Sequence, residues 1–153
     1  MSKLTWTCKP FVQLSLDELY QLLAIRQEVF VVEQDCPYLD ADGKDQMAWH
    51  LMGWSAAQKI EACSRLLPKG VSYPNASSIG RILTTERARG IGAGKAMMTE
   101  AMRWMEKLYG RDPITISAQT YLLEFYGQFG FQSTGKQYLE DGIPHTEMRF
   151  DYP

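Results

Sequence analysis

The sequence predicts a single α/β domain with a mixed central sheet, rather than a strictly alternating doubly wound fold. The chain has 153 residues, which suits one hydrophobic core, so residues 1–153 are assigned to one domain. Apolar residues recur with strand and helix periods in the order strand, helix, several strands, helix, strand, helix, strands. The consecutive strands in the middle distinguish this order from a simple strand–helix repeat.

The N-terminal third predicts one strand followed by one amphipathic helix. Residues 4–11, LTWTCKPF, alternate between apolar and polar types as a strand does. Ser15 and Glu18 have the spacing of a capping box, which predicts a helix that begins directly after Ser15. Apolar positions continue at helical spacing as far as Phe30, and the polar stretch 33–48 predicts a loop.

The middle of the chain predicts three strands and a long helix. Residues 48–56 and 59–67 are typical of a meander, and residues 77–85 form a third apolar run. Residues 92–109 carry apolar side chains on one helical face and charged ones on the other, and Gly110 is a helix stop signal.

The C-terminal third predicts a strand, a short helix and two closing strands. The strand covers residues 113–118 and the helix residues 121–130. Residues 131–135 and 145–152 are expected to be strands, with residues 139–145 as a loop between them.

Composition and charge exclude several classes of protein. The net charge of -2 lacks the basic excess of a nucleic-acid binder, so no nucleic-acid partner is expected. The apolar runs are too short to span a bilayer, and the N-terminus lacks the apolar segment of a signal peptide. The three cysteines form no Cys-x-x-Cys motif and are expected to be reduced thiols, so a cytoplasmic protein without a membrane partner is predicted.

The most informative motif is the glycine-rich stretch 87–97, RARGIGAGKAM. A Walker A loop fails here, because Arg89 replaces its first glycine and Ala96 replaces its Ser or Thr. A dinucleotide fingerprint that starts at Gly90 fails because Lys95 replaces its third glycine.

A third pattern, Arg-x-x-Gly-x-Gly, fits between a predicted strand and a predicted helix. The unpaired amides and the dipole at a helix start favour an anion such as a diphosphate. The candidate binding residues are Arg89, Gly90, Ile91, Gly92, Ala93, Gly94 and Lys95. The alternative is a glycine-rich turn that only allows a helix and a strand to pack closely.

This motif, together with FYGQFGF at residues 125–131, resembles the acetyl-CoA site of the GNAT N-acetyltransferase superfamily. The resemblance covers nearly the whole chain. Residues 26–45, RQEVFVVEQDCPYLDADGKD, and residues 138–145, YLEDGIPH, are similar to the ElaA-like subgroup of that superfamily.

The resemblance implies a GNAT acyl-CoA N-acyltransferase fold, in which two central parallel strands of a mixed sheet splay apart between flanking helices. Those strands are IGRILTT and PITISA. The pantetheine arm of acetyl-CoA is then expected on the backbone of Ile82, Leu83 and Thr84, and its pyrophosphate on the amides that follow Arg89.

The resemblance also implies direct attack of an acceptor amine on the thioester. It assigns Tyr126 to the acetyl-CoA site and to proton donation, since a phenol with a pKa near 10 is protonated at neutral pH. Spacing alone favours Tyr126 as a core aromatic, and Tyr121 is a second candidate donor. Glu33 and His145 are the candidate bases, with His50, Glu61 or a water chain as alternatives.

The segment 33–45 contains five acids: Glu33, Asp35, Asp40, Asp42 and Asp45. A solvated acidic loop is the expected reading, and a negative rim that attracts a cationic amine is the functional alternative. These acids lack the order of an EF-hand, and no His/Cys spacing indicates zinc, so no metal site is predicted.

The sequence therefore predicts an acetyl-CoA-dependent N-acetyltransferase acting on a small-molecule or peptide amine. The alternative is a non-catalytic GNAT-like domain that binds CoA or a partner. Domains of this family often form dimers, which leaves a homodimer open.

Overall fold

The structure is a computed structural model that describes residues 3–153, and it contains one seven-stranded mixed sheet. The strands are β1 (Thr5–Pro10), β2 (Trp49–Trp54), β3 (Ile60–Leu67), β4 (Ser77–Thr84), β5 (Ile114–Gln119), β6 (Gln132–Glu140) and β7 (Ile143–Phe150). Their spatial order is β1-β2-β3-β4-β5-β7-β6, and all neighbours are antiparallel except β4 and β5. This mixed sheet confirms the predicted fold class.

Three helices flank the sheet: α1 (Leu16–Arg26), α2 (Ala93–Tyr109) and α3 (Leu123–Gly127). The capping box predicted for α1 is present, since the Glu18 amide donates to Ser15 Oγ at 3.0 Å and the Ser15 amide donates to Glu18 Oε1 at 2.8 Å. A π-helical segment, Gln27–Glu33, extends α1 towards the loop. In residues 3–153, no helix is long and apolar enough to cross a membrane.

Two apolar clusters form the core, one on each face of the sheet. One cluster includes Met97, Met98, Ala101 and Met105 of α2, and the other includes Leu22 and Ile25 of α1. Adjacent strand residues enter opposite clusters, Leu51 with α2 and Met52 with α1, and likewise Ala62 and Cys63. Successive side chains of a strand point to opposite faces, so the sheet separates the two helices.

The two central parallel strands splay apart, as the family resemblance implied. β4 and β5 pair only at Ser77 with Ile114 and at Ser78 with Thr115. Beyond Ser78 the edge of β4 that faces β5 is free of strand pairing. The splay therefore leaves backbone donors and acceptors of β4 open to a ligand.

The C-terminal strands differ from the prediction. Residues 139–145 are not a loop, because β6 continues to Glu140 and β7 begins at Ile143. A tight turn joins them at Asp141 and Gly142, whose φ angles are 50° and 78°. Positive φ at both central residues is what a two-residue type I′ hairpin requires, and Asp-Gly is a preferred pair for it.

Candidate active site

The glycine turn before α2 adopts the backbone that the anion-site interpretation needs. Gly90 and Gly92 have φ angles of 91° and 75°, and Gly92 is the N-cap of α2. A Cβ added at either glycine would meet nothing within 4 Å. Their absent side chains are therefore not required by packing against another element, and the positive φ angles explain the glycines. This finding weighs against a turn that serves only close packing.

The start of α2 presents unpaired backbone donors to solvent. Gly92, the N-cap residue, has no side chain that could cap the helix, and the amides of the first helical turn have no partner within the helix. The α2 dipole adds positive potential at the same place. Lys95 is exposed on this turn, whereas the half-buried Ile91 packs on the α2 core cluster. The turn is thus suited to a diphosphate, with Lys95 as an additional charge.

Arg89 has other partners in this structure. Its guanidinium lies 2.6 Å from Glu33 Oε1 and donates to the Thr84 carbonyl at 2.9 Å. The ion pair connects the glycine turn to the end of the π-helical segment. It also engages the Glu33 carboxylate, one of the two predicted bases.

A cavity of about 850 Å³ opens between the splayed strands. Most of the predicted site residues line it: Glu33, Ile82, Leu83, Thr84, Arg89, Gly94, Tyr126 and His145. Ile91, Gly92 and Ala93 border a separate, smaller groove beside Trp6 of β1. The free edge of β4, the start of α2 and the predicted acid and bases therefore meet around one cavity.

Tyr126 lies in α3 and is buried, with 6% of its surface exposed. The rings of Phe125 and Phe131 contact it edge to face, at centroid distances of 5.1 and 6.4 Å. Its hydroxyl makes no hydrogen bond with any residue from 3 to 153, although the side chain lines the cavity. Burial, followed by the nearby Tyr121, raises the pKa of Tyr126 above its usual value. The phenol is therefore protonated at neutral pH.

His145 lies on β7 and is held from both ring nitrogens. Nδ1 lies 2.7 Å from the Ile143 carbonyl, and Nε2 lies 3.2 Å from Glu140 Oε2. The ring also stacks on Tyr138 at a centroid distance of 6.1 Å. Because a carbonyl only accepts, Nδ1 carries a proton, and Nε2 is the nitrogen that gains or loses one. Glu140 is a site residue that the sequence analysis did not single out, since it was assigned to a loop.

The other two candidate bases lie away from this cavity. His50 is buried and donates from Nε2 to the Asp45 carbonyl at 2.9 Å. Burial lowers the pKa of His50, which keeps it neutral. Glu61 is buried and bonds Arg87 Nε at 3.2 Å. These contacts give both residues structural roles.

The acidic loop is solvated only in part: Glu33, Asp35 and Asp42 are exposed, whereas Asp40 and Asp45 are buried, which corrects the expected interpretation for those two acids. Asp40 and Asp45 are each only 6% exposed. Six charges alternate around a closed ring of ion pairs: Arg26–Asp40 at 2.7 Å, Asp40–Arg81 at 2.8 Å, Arg81–Asp42 at 3.4 Å, Asp42–Arg65 at 2.7 Å, Arg65–Asp45 at 3.1 Å and Asp45–Arg26 at 2.8 Å. Three arginines neutralise three aspartates, so this part of the loop is no negative rim. The sequence signal for this ring of ion pairs is the presence of arginines within the apolar runs of α1, β3 and β4.

Comparison with known proteins identifies the family. A profile of the acetyltransferase (GNAT) domain matches residues 69–152, which is more than half of the chain. The chain belongs to the GNAT acetyltransferase family. The matched segment contains the glycine turn, Tyr126 and His145.

Relatives of this GNAT protein extend the likeness to nearly the whole chain. A UPF0039 protein of a Synechocystis strain is 41% identical over 99% of this chain and 97% of its own. The crystal structure of an acyl-CoA N-acyltransferase from Pseudomonas aeruginosa is 42% identical, covers 95% of this chain and 99% of its own, and has a TM-score of 0.88. The crystal structure of Escherichia coli ElaA is 35% identical, covers 97% and 99%, and has a TM-score of 0.89. The predicted ElaA-like relationship is therefore confirmed.

Family and fold together make this GNAT protein an acyltransferase that uses an acyl-CoA. The residues of the turn fit that substrate, because they leave backbone donors and open space where a diphosphate is expected. In residues 3–153, no group of three or more His, Cys, Asp and Glu side chains is arranged to hold a metal ion.

Proposed function

We propose that this protein transfers an acetyl group from acetyl-CoA to an amine, by direct attack of the amine on the thioester. The observation that carries the proposal is the single cavity around which the free β4 edge, the start of α2 and the Tyr126 side chain meet. Each of these features suits a different part of the reaction. Acetyl-CoA supplies the activated thioester as a substrate.

Binding is assigned to backbone groups. The amides from Gly90 to Lys95 donate to the pyrophosphate, and the edge of β4 from Ile82 to Thr84 pairs with the pantetheine arm as an added strand would. Backbone amides near Leu83 polarise the thioester carbonyl. The absence of strand pairing beyond Ser78 supports this assignment, because those β4 groups need a partner.

Tyr126 is assigned as the acid that protonates the departing thiolate. Two features support this role: a side chain that lines the cavity, and a hydroxyl with no hydrogen-bond partner in the described chain. A hydroxyl already bonded to another side chain would be less available to a leaving group. The phenol donates its proton as the carbon–sulfur bond breaks.

His145 is assigned as the base that accepts the proton of the attacking amine, with Glu140 as its partner. Nε2 takes the proton, and the resulting imidazolium donates it in a hydrogen bond to Glu140. Glu33 is the weaker candidate, since its carboxylate is paired with Arg89 at 2.6 Å. In this assignment Glu33 orients Arg89 at the edge of the acyl-CoA site.

The acceptor is proposed to be a small-molecule or peptide amine. The cavity volume of about 850 Å³ is that of a site for small ligands. A homodimer stays a prediction.

The test is acetyl transfer to a panel of polyamines, amino acids, aminoglycosides and peptide N-termini, by the wild type and two tyrosine variants. Tyr126→Phe is expected to lower kcat by about 100-fold or more, while CoA affinity by calorimetry changes little. Tyr121→Phe tests the second candidate donor, which also lines the cavity but is 75% exposed, and it is expected to lower kcat less than Tyr126→Phe does. Unchanged turnover in Tyr126→Phe would refute the acid assignment. CoA binding without turnover of any amine would favour the non-catalytic alternative.

A further inference from the structure

Arg81 has a backbone conformation that is rare for a residue with a side chain. Its φ angle is 48°, in the left-handed region, although it lies inside strand β4. Gly80, directly before it, does not take up this strain, since its own φ angle is not positive. Backbone strain at a non-glycine residue persists only where the surroundings hold it in place.

The strained residue forms a β-bulge next to the proposed acyl-CoA edge. The pairing of β3 with β4 steps from Cys63–Leu83 to Arg65–Gly80, so two β4 residues, Arg81 and Ile82, oppose the single residue Ser64. A bulge changes which residues direct their side chains to each face and their backbone groups to each edge.

Core packing confirms that the bulge reverses the phase of β4. Ile79 and Leu83 are four residues apart, so in a regular strand they would point to the same face. Instead Ile79 packs in the α2 cluster and Leu83 in the α1 cluster. The bulge therefore determines which backbone groups of Leu83 and Thr84 face the splay.

The Arg81 side chain is held by the acidic loop. Nε lies 2.8 Å from Asp40 Oδ1, a terminal nitrogen donates to the Asp40 carbonyl at 2.8 Å, and the same nitrogen lies 3.4 Å from Asp42 Oδ2. The guanidinium also lies over the Tyr38 ring, 5.6 Å from its centroid. Asp40 is itself fixed by Arg26 of α1. These contacts anchor one strained strand position to the loop and to α1.

We infer that Arg81 is a positioning residue for acyl transfer: by bonding the acidic loop, its side chain holds the β4 bulge that directs the backbone of Leu83 and Thr84 to the acyl group. This inference rests on the proposed function. It gives the ion-paired loop a role in the reaction that needs no contact between its aspartates and either substrate.

The experiment compares Arg81→Ala, Arg81→Gly and a control, Gln58→Gly. Gln58 is also a non-glycine residue with positive φ, 61°, but it lies in the exposed turn between β2 and β3. Arg81→Gly removes the anchor while relieving the backbone strain, so it remains informative where Arg81→Ala does not fold. The readouts are hydrogen exchange of residues 77–84, CoA affinity, and kcat with the KM of the acceptor.

Loss of the anchor is expected to raise amide exchange in β4 by about tenfold or more in both Arg81 variants, and to lower kcat by a similar factor. CoA affinity should fall less than kcat does, because the pantetheine arm pairs with the same β4 edge while the glycine turn for the pyrophosphate is untouched. Gln58→Gly should match the wild type in all readouts. Wild-type β4 exchange in Arg81→Gly would overturn the inference, as would a raised acceptor KM with unchanged kcat.

The exchange readout also separates this inference from the proposed function. If the wild type binds CoA but acetylates no amine, the proposed function fails, and β4 exchange still decides whether Arg81 holds the bulge. If the wild type is active and Arg81→Gly keeps its kcat, only the inference fails.

Discussion

Gly92 offers a direct test of the geometry at the start of α2. Its φ angle is 75°, and an added Cβ would meet nothing within 4 Å, so Gly92→Ala acts through backbone strain alone. An L-residue in the left-handed region costs about 1–2 kcal/mol. For a chain of this size each kcal/mol shifts Tm by about 2–4 °C, so thermal melts should show a loss of roughly 2–8 °C. CoA affinity by calorimetry should fall about tenfold or more. The backbone would relax to relieve the strain, and the donor amides of the turn would then no longer point at the pyrophosphate.

Gly94→Ala is the matched control, with the same added methyl two residues further on. Gly94 lies inside α2 without a positive φ, and its Cβ would meet the Phe125 ring at 3.7 Å, an ordinary contact. Alanine in a helix is favoured over glycine by roughly 0.5–1 kcal/mol, so Tm should be unchanged or slightly raised. Because Gly94 lines the cavity, the CoA affinity of Gly94→Ala is compared with that of Gly92→Ala, which is expected to be the weaker binder. If the two variants melt and bind alike, or if Gly92→Ala melts with the wild type, the reasoning fails.

Three further predictions concern the capping box, the base and acid stability. Ser15→Ala should lower the free energy of unfolding by about 1 kcal/mol in urea titrations; an unchanged value would contradict the cap's role. His145→Gln should lower kcat/KM by about 100-fold with CoA affinity intact, and an unchanged pH profile would exclude His145 as the base. Burial acts to raise the pKa values of Asp42 and Asp45, but their arginine partners outweigh it and lower them. Their stabilisation is therefore complete above the unfolded pKa of about 3.9 and lost as pH falls through the lower folded values, so urea midpoints should drop below pH 4.

The backbone geometry of the proposed acyl-CoA site could be predicted from the sequence because it is local. The segment from Arg89 to Gly94 is a turn followed by a helix start, and its glycines mark the backbone positions directly. FYGQFGF likewise covers the end of one short helix and the turn that leads into the next strand. A motif of six or seven residues is sufficient where a proposed site consists mainly of backbone groups of consecutive residues.

The placement of Glu140 was missed although a local signal was present. Asp141 and Gly142 are a strong two-residue hairpin signal between apolar residues, yet the acids and Pro144 favoured a loop. Extending β6 and β7 into the hairpin brings Glu140 opposite Ile143 and beside His145. A carboxylate partner for His145, the proposed base, follows directly from assigning that turn correctly.

The ion-pair ring was not readable, because its contacts join residues far apart in the chain. Arg65 and Asp42 are 23 residues apart, and Arg81 and Asp40 are 41 apart, in elements whose approach depends on the order of strands in the sheet. From sequence, a run of aspartates is most simply explained by solvent, which needs no partners. In the fold these acids pair with three arginines of α1, β3 and β4. Without the acids, those arginines would be unpaired charges next to the core. An arginine within an apolar run and an acidic loop with no assigned contact together predict ion pairs between the two segments. In this protein such ion pairs connect the loop to β4, the strand that is expected to hold the acyl group.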